Sequence, residues 1–182
     1  MRLENYAIRV WSFVAIIWLL RDSHALFKFT NIKCTCYEKS YCELRRCELK
    51  LLGRGIVALF LHIQNNQLPI NTSVFTLTLF RRLNGYKPFL YNVTVDNCSF
   101  MKHKKRYPYF NLVHDAMRNF TNLNHTCPYS HDIIVNRMVL NDNMMAKLPL
   151  PTGFYKLKFN WKTGGVWRGV IEVFVEVNLG FD

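Results

Sequence analysis

Two runs near the C-terminal end alternate so regularly that they dictate the local geometry. Between 154 and 162, Tyr155, Leu157, Phe159 and Trp161 share one parity, while Lys156, Lys158, Asn160 and Lys162 share the other. Between 166 and 178, Trp167, Ile171, Val173, Val175 and Val177 oppose Arg168, Glu172, Glu176 and Asn178. A period of two belongs to the β-strand, whose successive side chains leave opposite faces. Thr163-Gly164-Gly165 between the runs predicts a hairpin turn, because glycine takes positive φ without strain. A ribbon with one apolar face must bury it against a second layer. Further strand-like runs at 55–63, 73–82, 88–95 and 131–140, each bounded by turn residues, extend the pattern. Together they predict an all-β fold, a two-sheet antiparallel β-sandwich. In the 88–95 run, Phe89, Tyr91, Val93 and Val95 are expected to face inward and Asn92 outward with Thr94 and Asp96.

One segment breaks the β pattern. Phe110, Val113, Met117 and Phe120 recur at helical spacing, with His114, Asp115, Arg118 and Asn119 expected on the opposite side. This predicts one helix over 109–122, between Cys98 and Cys127. No internal repeat or low-complexity linker divides the chain.

The N-terminus carries Arg2 and Arg9, then the apolar run 10–20, then the polar stretch 21–25. This is the three-part layout of a signal peptide, with Ser23 and Ala25 as the small residues before a cleavage point ahead of Leu26. The apolar run covers only about half of a hydrocarbon core, which needs about 20 helical residues, so no stable membrane span is expected. The organisation read from this is a signal peptide over 1–25 and a single domain over 26–182, secreted to the extracellular side. Removal of 1–25 takes three arginines and two acids with it, so the net charge of +12 falls only to +11. A secreted basic protein meets anionic lipids, acidic glycans and other protein surfaces rather than nucleic acid, which is not expected as a partner. The densest basic run, Lys102, Lys104, Lys105 and Arg106, reads as a solvated loop.

All six cysteines, Cys34, Cys36, Cys42, Cys47, Cys98 and Cys127, follow the cleavage point. An even number in an oxidising compartment predicts three disulfides, and the spacing is not that of a structural zinc site, so no metal is expected. The stretch from Cys34 to Cys47 reads as an antiparallel hairpin with arms at 27–37 and 42–52. Nested pairing of Cys34 with Cys47 and Cys36 with Cys42 fits it approximately and leaves Cys98 for Cys127, although the pairing among the first four stays open. Five sequons, at Asn71, Asn92, Asn97, Asn119 and Asn124, agree with secretion and make N-glycosylation an expectation. Asn97 is the poorest of them, because disulfide formation at Cys98 competes.

Catalytic signatures are missing. There is no G-x-S-x-G elbow, no H-E-x-x-H and no glycine-rich phosphate loop, so neither an enzyme nor a cofactor is expected.

Three strings resemble a known family: Phe29-Thr-Asn-Ile-Lys-Cys34; Leu83 to Asn92 leading to Val95-Asp96-Asn97-Cys98; and Asn122 to Tyr129 followed by His131-Asp132-Ile133. They resemble a large insect family of small secreted proteins of unknown function related to the CheB chemosensory proteins. That family is in turn distantly similar to the ML lipid-recognition domains of the ganglioside-activator and sterol-transfer type. The resemblance runs from about Phe27 to Val177; Cys36 and Cys42 are an extra pair beyond the family's four cysteines. It implies an ML- or immunoglobulin-like sandwich whose sheets part to admit an acyl chain, a sterol or another apolar signal. The implied partner is an apolar small molecule or lipid, with a receptor or other extracellular protein as a further one. Aromatic residues make up 15% of the chain, enough to line such a cavity or to fill a dry core. Phe75, Leu77, Leu79, Phe89, Tyr91, Tyr155, Phe159 and Trp161 are the candidate wall, with Phe110, Met117 and Phe120 as a lid. Lys87 and Lys156 are candidates to hold an acidic head group at the mouth. The competing expectation is a glycosylated interaction module with a filled core and no small ligand.

Overall fold

The computed structural model describes residues 26–141, 144, 148 and 150–178. The proposed signal segment, 1–25, lies outside the described residues. Among the described residues eight strands form: β1 (Leu26–Cys36), β2 (Cys42–Gly53), β3 (Ile56–Asn65), β4 (Val74–Leu83), β5 (Gly85–Asp96), β6 (Ile133–Val139), β7 (Gly153–Thr163) and β8 (Val166–Asn178). Two short helices, α1 (Asn97–Lys102) and α2 (Pro108–Met117), with a 3-10 turn at Lys104–Arg106 between them, separate β5 from β6. One antiparallel sheet has the order β1-β8-β7-β4-β5 and the other β2-β3-β6. The protein is an all-β sandwich.

The late hairpin forms as its alternation requires. Tyr155 and Trp161 on β7 and Val173, Val175 and Val177 on β8 are buried, opposite Leu59, Leu61 and Ile63 of β3 and Val135 and Met138 of β6. Trp167 does not join them and is half exposed. The β7–β8 register slips between Trp161 and Lys162, so that Gly169 pairs with Trp161 but Trp167 pairs with Lys162. That irregularity reverses the parity of the strand end and turns the indole to the outer face, where the Lys162 ammonium lies 5.8 Å from its ring.

The N-terminal hairpin is a correction. β1 pairs with β8, and β2 pairs with β3, so the two arms belong to different sheets. Cys34–Cys47 and Cys36–Cys42 therefore cross the sandwich, with Cα separations of 6.3 and 6.1 Å. The cysteine spacing carries the reason. Two residues along β1, from Cys34 to Cys36, correspond to five along β2, from Cys47 to Cys42, and no single hairpin register places both pairs opposite each other. Five residues also put Cys42 and Cys47 on opposite faces of a regular strand. A register shift in β2 between Leu44 and Arg46 absorbs the extra residue and turns both sulfurs toward β1.

The expected helix over 109–122 is shorter than its apolar spacing suggested. Pro108, whose fixed φ suits a first helical position, opens it. It stops at Met117 because the following backbone is drawn into pairing with β6: Thr121 bridges Val135, and the Asn136 amide donates to the Phe120 carbonyl at 2.8 Å. The Asn122 side chain completes the switch, accepting from the Ile134 amide at 2.9 Å and donating to the Asp132 carbonyl at 2.7 Å. Helix α1 was not anticipated. Its cue is Asp96, whose carboxylate accepts from the Ser99 amide as an N-cap.

Candidate ligand cavity

Between the sheets, beneath α2, lies a cavity of about 150 Å³. The large sheet contributes Phe29, Ile32, Phe75, Leu157, Phe159, Trp161, Ile171, Val173 and Val175; the small sheet contributes Leu59, Leu61, Ile63, Ile133, Val135 and Met138. Helix α2 closes one side with Phe110, Val113, His114, Ala116 and Met117. Inward-facing strand positions on two facing sheets meet the apolar stripe of one helix, so each contributing element supplies side chains at its own period. Position 169 is held open for the Trp161 indole: a Cβ there would stand 2.3 Å from an indole carbon and 2.3 Å from the Thr35 carbonyl oxygen.

Among the described lining residues, Asn97, His114 and Thr121 carry polar side chains, beside the indole of Trp161. Asn97 donates through Nδ2 to the Tyr129 hydroxyl at 2.7 Å, and that hydroxyl donates to the His125 carbonyl at 2.9 Å. Burial pushes the Tyr129 phenol up to about 12, so it stays protonated and can keep donating. The Thr121 hydroxyl accepts from the Leu123 amide at 3.2 Å. His114 is buried, and burial together with the nearby Lys104 ammonium lowers its pKa below the usual imidazole value.

The structure divides the expected wall. Phe75, Phe159 and Trp161, with Phe110 and Met117 from the expected lid, line the cavity. Leu77, Leu79 and Tyr91 instead line a separate space of about 20 Å³ nearer the β5 edge. Phe89, Tyr155 and Phe120 reach neither. Phe89 and Tyr155 pack on each other at 5.9 Å, under the Arg81 guanidinium, and the Tyr155 hydroxyl donates to the Pro151 carbonyl. Phe120 follows the end of the helix and has left its stripe. Neither Lys87 nor Lys156 lines the cavity. The Lys156 ammonium pairs with Glu172 at 2.9 Å and lies over the Phe80 and Tyr86 rings on the outer face of the large sheet. The aliphatic positions of β3, β6 and β8 were overlooked as wall because aromatic residues were favoured. His114 was placed on the solvent side, although it lies four residues after Phe110 and three before Met117, inside the inward stripe.

The Cys98–Cys127 disulfide, with Cα atoms 5.2 Å apart, ties α1 to the loop that leads into β6. A cluster on the same loop reads as bracing. The Asp132 carboxylate meets His62 Nε2 at 2.8 Å and accepts from the Asn65 amide at 3.1 Å, while Asn65 Nδ2 donates to the His131 carbonyl at 3.2 Å. The His62 hydrogen bond holds the Asp132 carboxyl below its ordinary range. Strand β6 begins only at Ile133, so His131 and Asp132 belong to this brace rather than to the strand.

Of the five sequons, Asn71, Asn92, Asn119 and Asn124 are exposed. Asn97 is only 4% exposed, and its amide nitrogen, the atom that would carry a glycan, is committed to Tyr129. That burial and pairing disfavour a glycan on Asn97.

The fold and cavity define a disulfide-bonded β-sandwich with an apolar interior space. Residues 75–157 match a family model described as Protein of unknown function (DUF1091). The match runs from β4 into β7 and takes in both helices, β6, Cys98 and Cys127. No curated protein matches the chain.

Proposed function

We propose that the protein is a secreted binding protein for a small apolar ligand, held between its two sheets. The observation that carries this reading is the cavity, whose described lining residues are mostly apolar and come from both sheets and α2. A dry apolar cavity of this size takes a benzene-sized guest, while pockets for larger ligands run to roughly 300–1,000 Å³. At about 150 Å³ the space holds a small molecule or the end of a longer chain; a whole acyl chain requires the sheets to part. Each methylene buried there contributes about 0.8 kcal/mol to affinity.

Secretion is supported by three disulfides; among the described residues, no helix is long and apolar enough to cross a membrane. The resemblance to CheB-related and ML proteins supports the same class of ligand and suggests a chemosensory setting, with a receptor as a further partner. Binding rather than catalysis is our reading, because the His62–Asp132 pair is used to brace a loop. Native mass spectrometry of the protein secreted from insect cells, before and after delipidation, tests it. A stoichiometric apolar adduct that rebinds after removal is expected; a clean mass with no uptake of apolar compounds would favour the filled-core interaction module.

A further inference from the structure

The turn between β2 and β3 is apolar where turns are ordinarily polar. Leu51 is 70% exposed, Leu52 41% and Ile56 47%, so three large aliphatic side chains stand in water within six residues. Exposed leucines scattered singly are ordinary, but a cluster on one projection marks a contact surface. The turn does project. Gly53, Arg54 and Gly55 all take positive φ, at 120°, 48° and 78°, and a Cβ at either glycine would meet nothing within 4 Å. Arg54, at the tip, holds a left-handed conformation that a residue other than glycine rarely adopts.

Charge accompanies the leucines. From Leu49 to Ile56 the chain carries Lys50 and Arg54 and no acid. Glu48, just before the turn, is engaged by Arg46 at 2.6 Å and by Lys50 at 3.3 Å, whereas Arg54 has no ion pair or hydrogen bond among the described residues. The β4–β5 turn repeats the composition: Leu83 is 63% exposed, and the stretch from Leu79 to Phe89 carries Arg81, Arg82 and Lys87 without an acid. Both turns lie at one pole of the sandwich. β1 is antiparallel to β8, β8 to β7 and β7 to β4, and the nested disulfides set β2 antiparallel to β1, so β2 and β4 run the same way and end together. Leu140, a residue of the cavity lining, follows β6, which runs parallel to β2 through their shared neighbour β3 and ends at this pole as well.

We propose that this pole docks on a lipid surface carrying negative head groups, with Leu51, Leu52 and Ile56 entering the acyl boundary while Arg54 and the cations of the β4–β5 turn meet lipid phosphates. Apolar side chains bordered by Lys and Arg suit such an interface, because apolar burial and attraction to anionic lipid add. Docking brings the end of the cavity at Leu140 next to the lipid, but it does not require the cavity to be a ligand site.

Co-sedimentation of the disulfide-intact protein with vesicles of phosphatidylcholine, and of phosphatidylcholine mixed with phosphatidylserine, tests the docking. The wild type binds the mixed vesicles more tightly, and high salt weakens that binding. Leu51→Ser combined with Ile56→Ser, at exposed positions that leave the core intact, lowers the affinity by on the order of tenfold, and Arg54→Ala lowers it about fivefold. Lys105→Ala, in the basic run that follows β5 and α1 at the opposite pole, leaves it unchanged. No binding of the wild type to either vesicle, an unchanged affinity in the serine variant, or an equal loss in Lys105→Ala overturns the proposal. A wild-type dimer that the serine variant lacks, with no vesicle binding, assigns the leucines to a second copy of the chain and overturns it too.

Discussion

Gly169 is the most crowded of the described glycines, and replacing it with alanine isolates one packing term. No positive φ is involved, so an alanine backbone is unstrained, and the cost comes from space alone. The new methyl would stand 2.3 Å from the Thr35 carbonyl oxygen and 2.3 and 2.6 Å from two carbons of the Trp161 indole. Neither neighbour yields freely. Thr35 is held in the β1–β8 ladder between the Cys34 and Cys36 disulfides, and Trp161 is only 3% exposed. Overpacking of this kind costs roughly 1–3 kcal/mol. For a domain of this size that lowers Tm by about 2–12 °C, at roughly 2–4 °C per kcal/mol. Thermal melts followed by circular dichroism measure it. Trp161→Phe removes the two clashing indole carbons, so Gly169→Ala should cost about 1 kcal/mol less in that background than in the wild type. A Tm for Gly169→Ala within about 1 °C of wild type, or an equal loss in both backgrounds, would refute the packing argument.

Three further expectations follow from the same geometry. Replacing Cys98 and Cys127 together by serine reopens a loop spanning 29 residues and should cost about 3–4 kcal/mol, read as a lower denaturation midpoint. Glycopeptide mapping of the secreted protein should find glycans only among Asn71, Asn92, Asn119 and Asn124; a glycan on Asn97 in folded protein would contradict its burial. The lowered pKa of His114, set by burial first and Lys104 second and opposed by Asp115, means that the unfolded chain binds a proton more readily there. Stability from this residue is therefore lost as pH falls below the unfolded imidazole value of about 6.5, and His114→Leu should flatten that part of the stability–pH curve. An unchanged slope in the variant would mean that His114 is not the group responsible.

The strands were legible where one face is wet and the other buried. On β5, β7 and most of β8 the polar and apolar residues alternate, and the inward set follows from parity alone. Parity failed where the backbone slips, at Trp167 on β8 and between Cys42 and Cys47 on β2, because an irregular residue leaves little trace in composition. In the second case the odd cysteine spacing was such a trace, and it also argued against a β1–β2 hairpin. The end of α2 was obscured for a different reason: Phe120 continues the helical spacing, but long-range pairing with β6 overrides it. As for the cavity, its aromatic wall was partly visible, whereas its aliphatic side depends on how the two sheets face each other. Local sequence does not encode that relation.

The most direct test of an apolar ligand site between the sheets is methyl NMR of the protein titrated with toluene. Shifts should concentrate on Leu61, Val135, Ile171 and Val175, which line the cavity from both sheets, and saturate at one equivalent. Unmoved methyls at these four positions, or shifts spread instead over exposed residues such as Leu51 and Leu83, would contradict it.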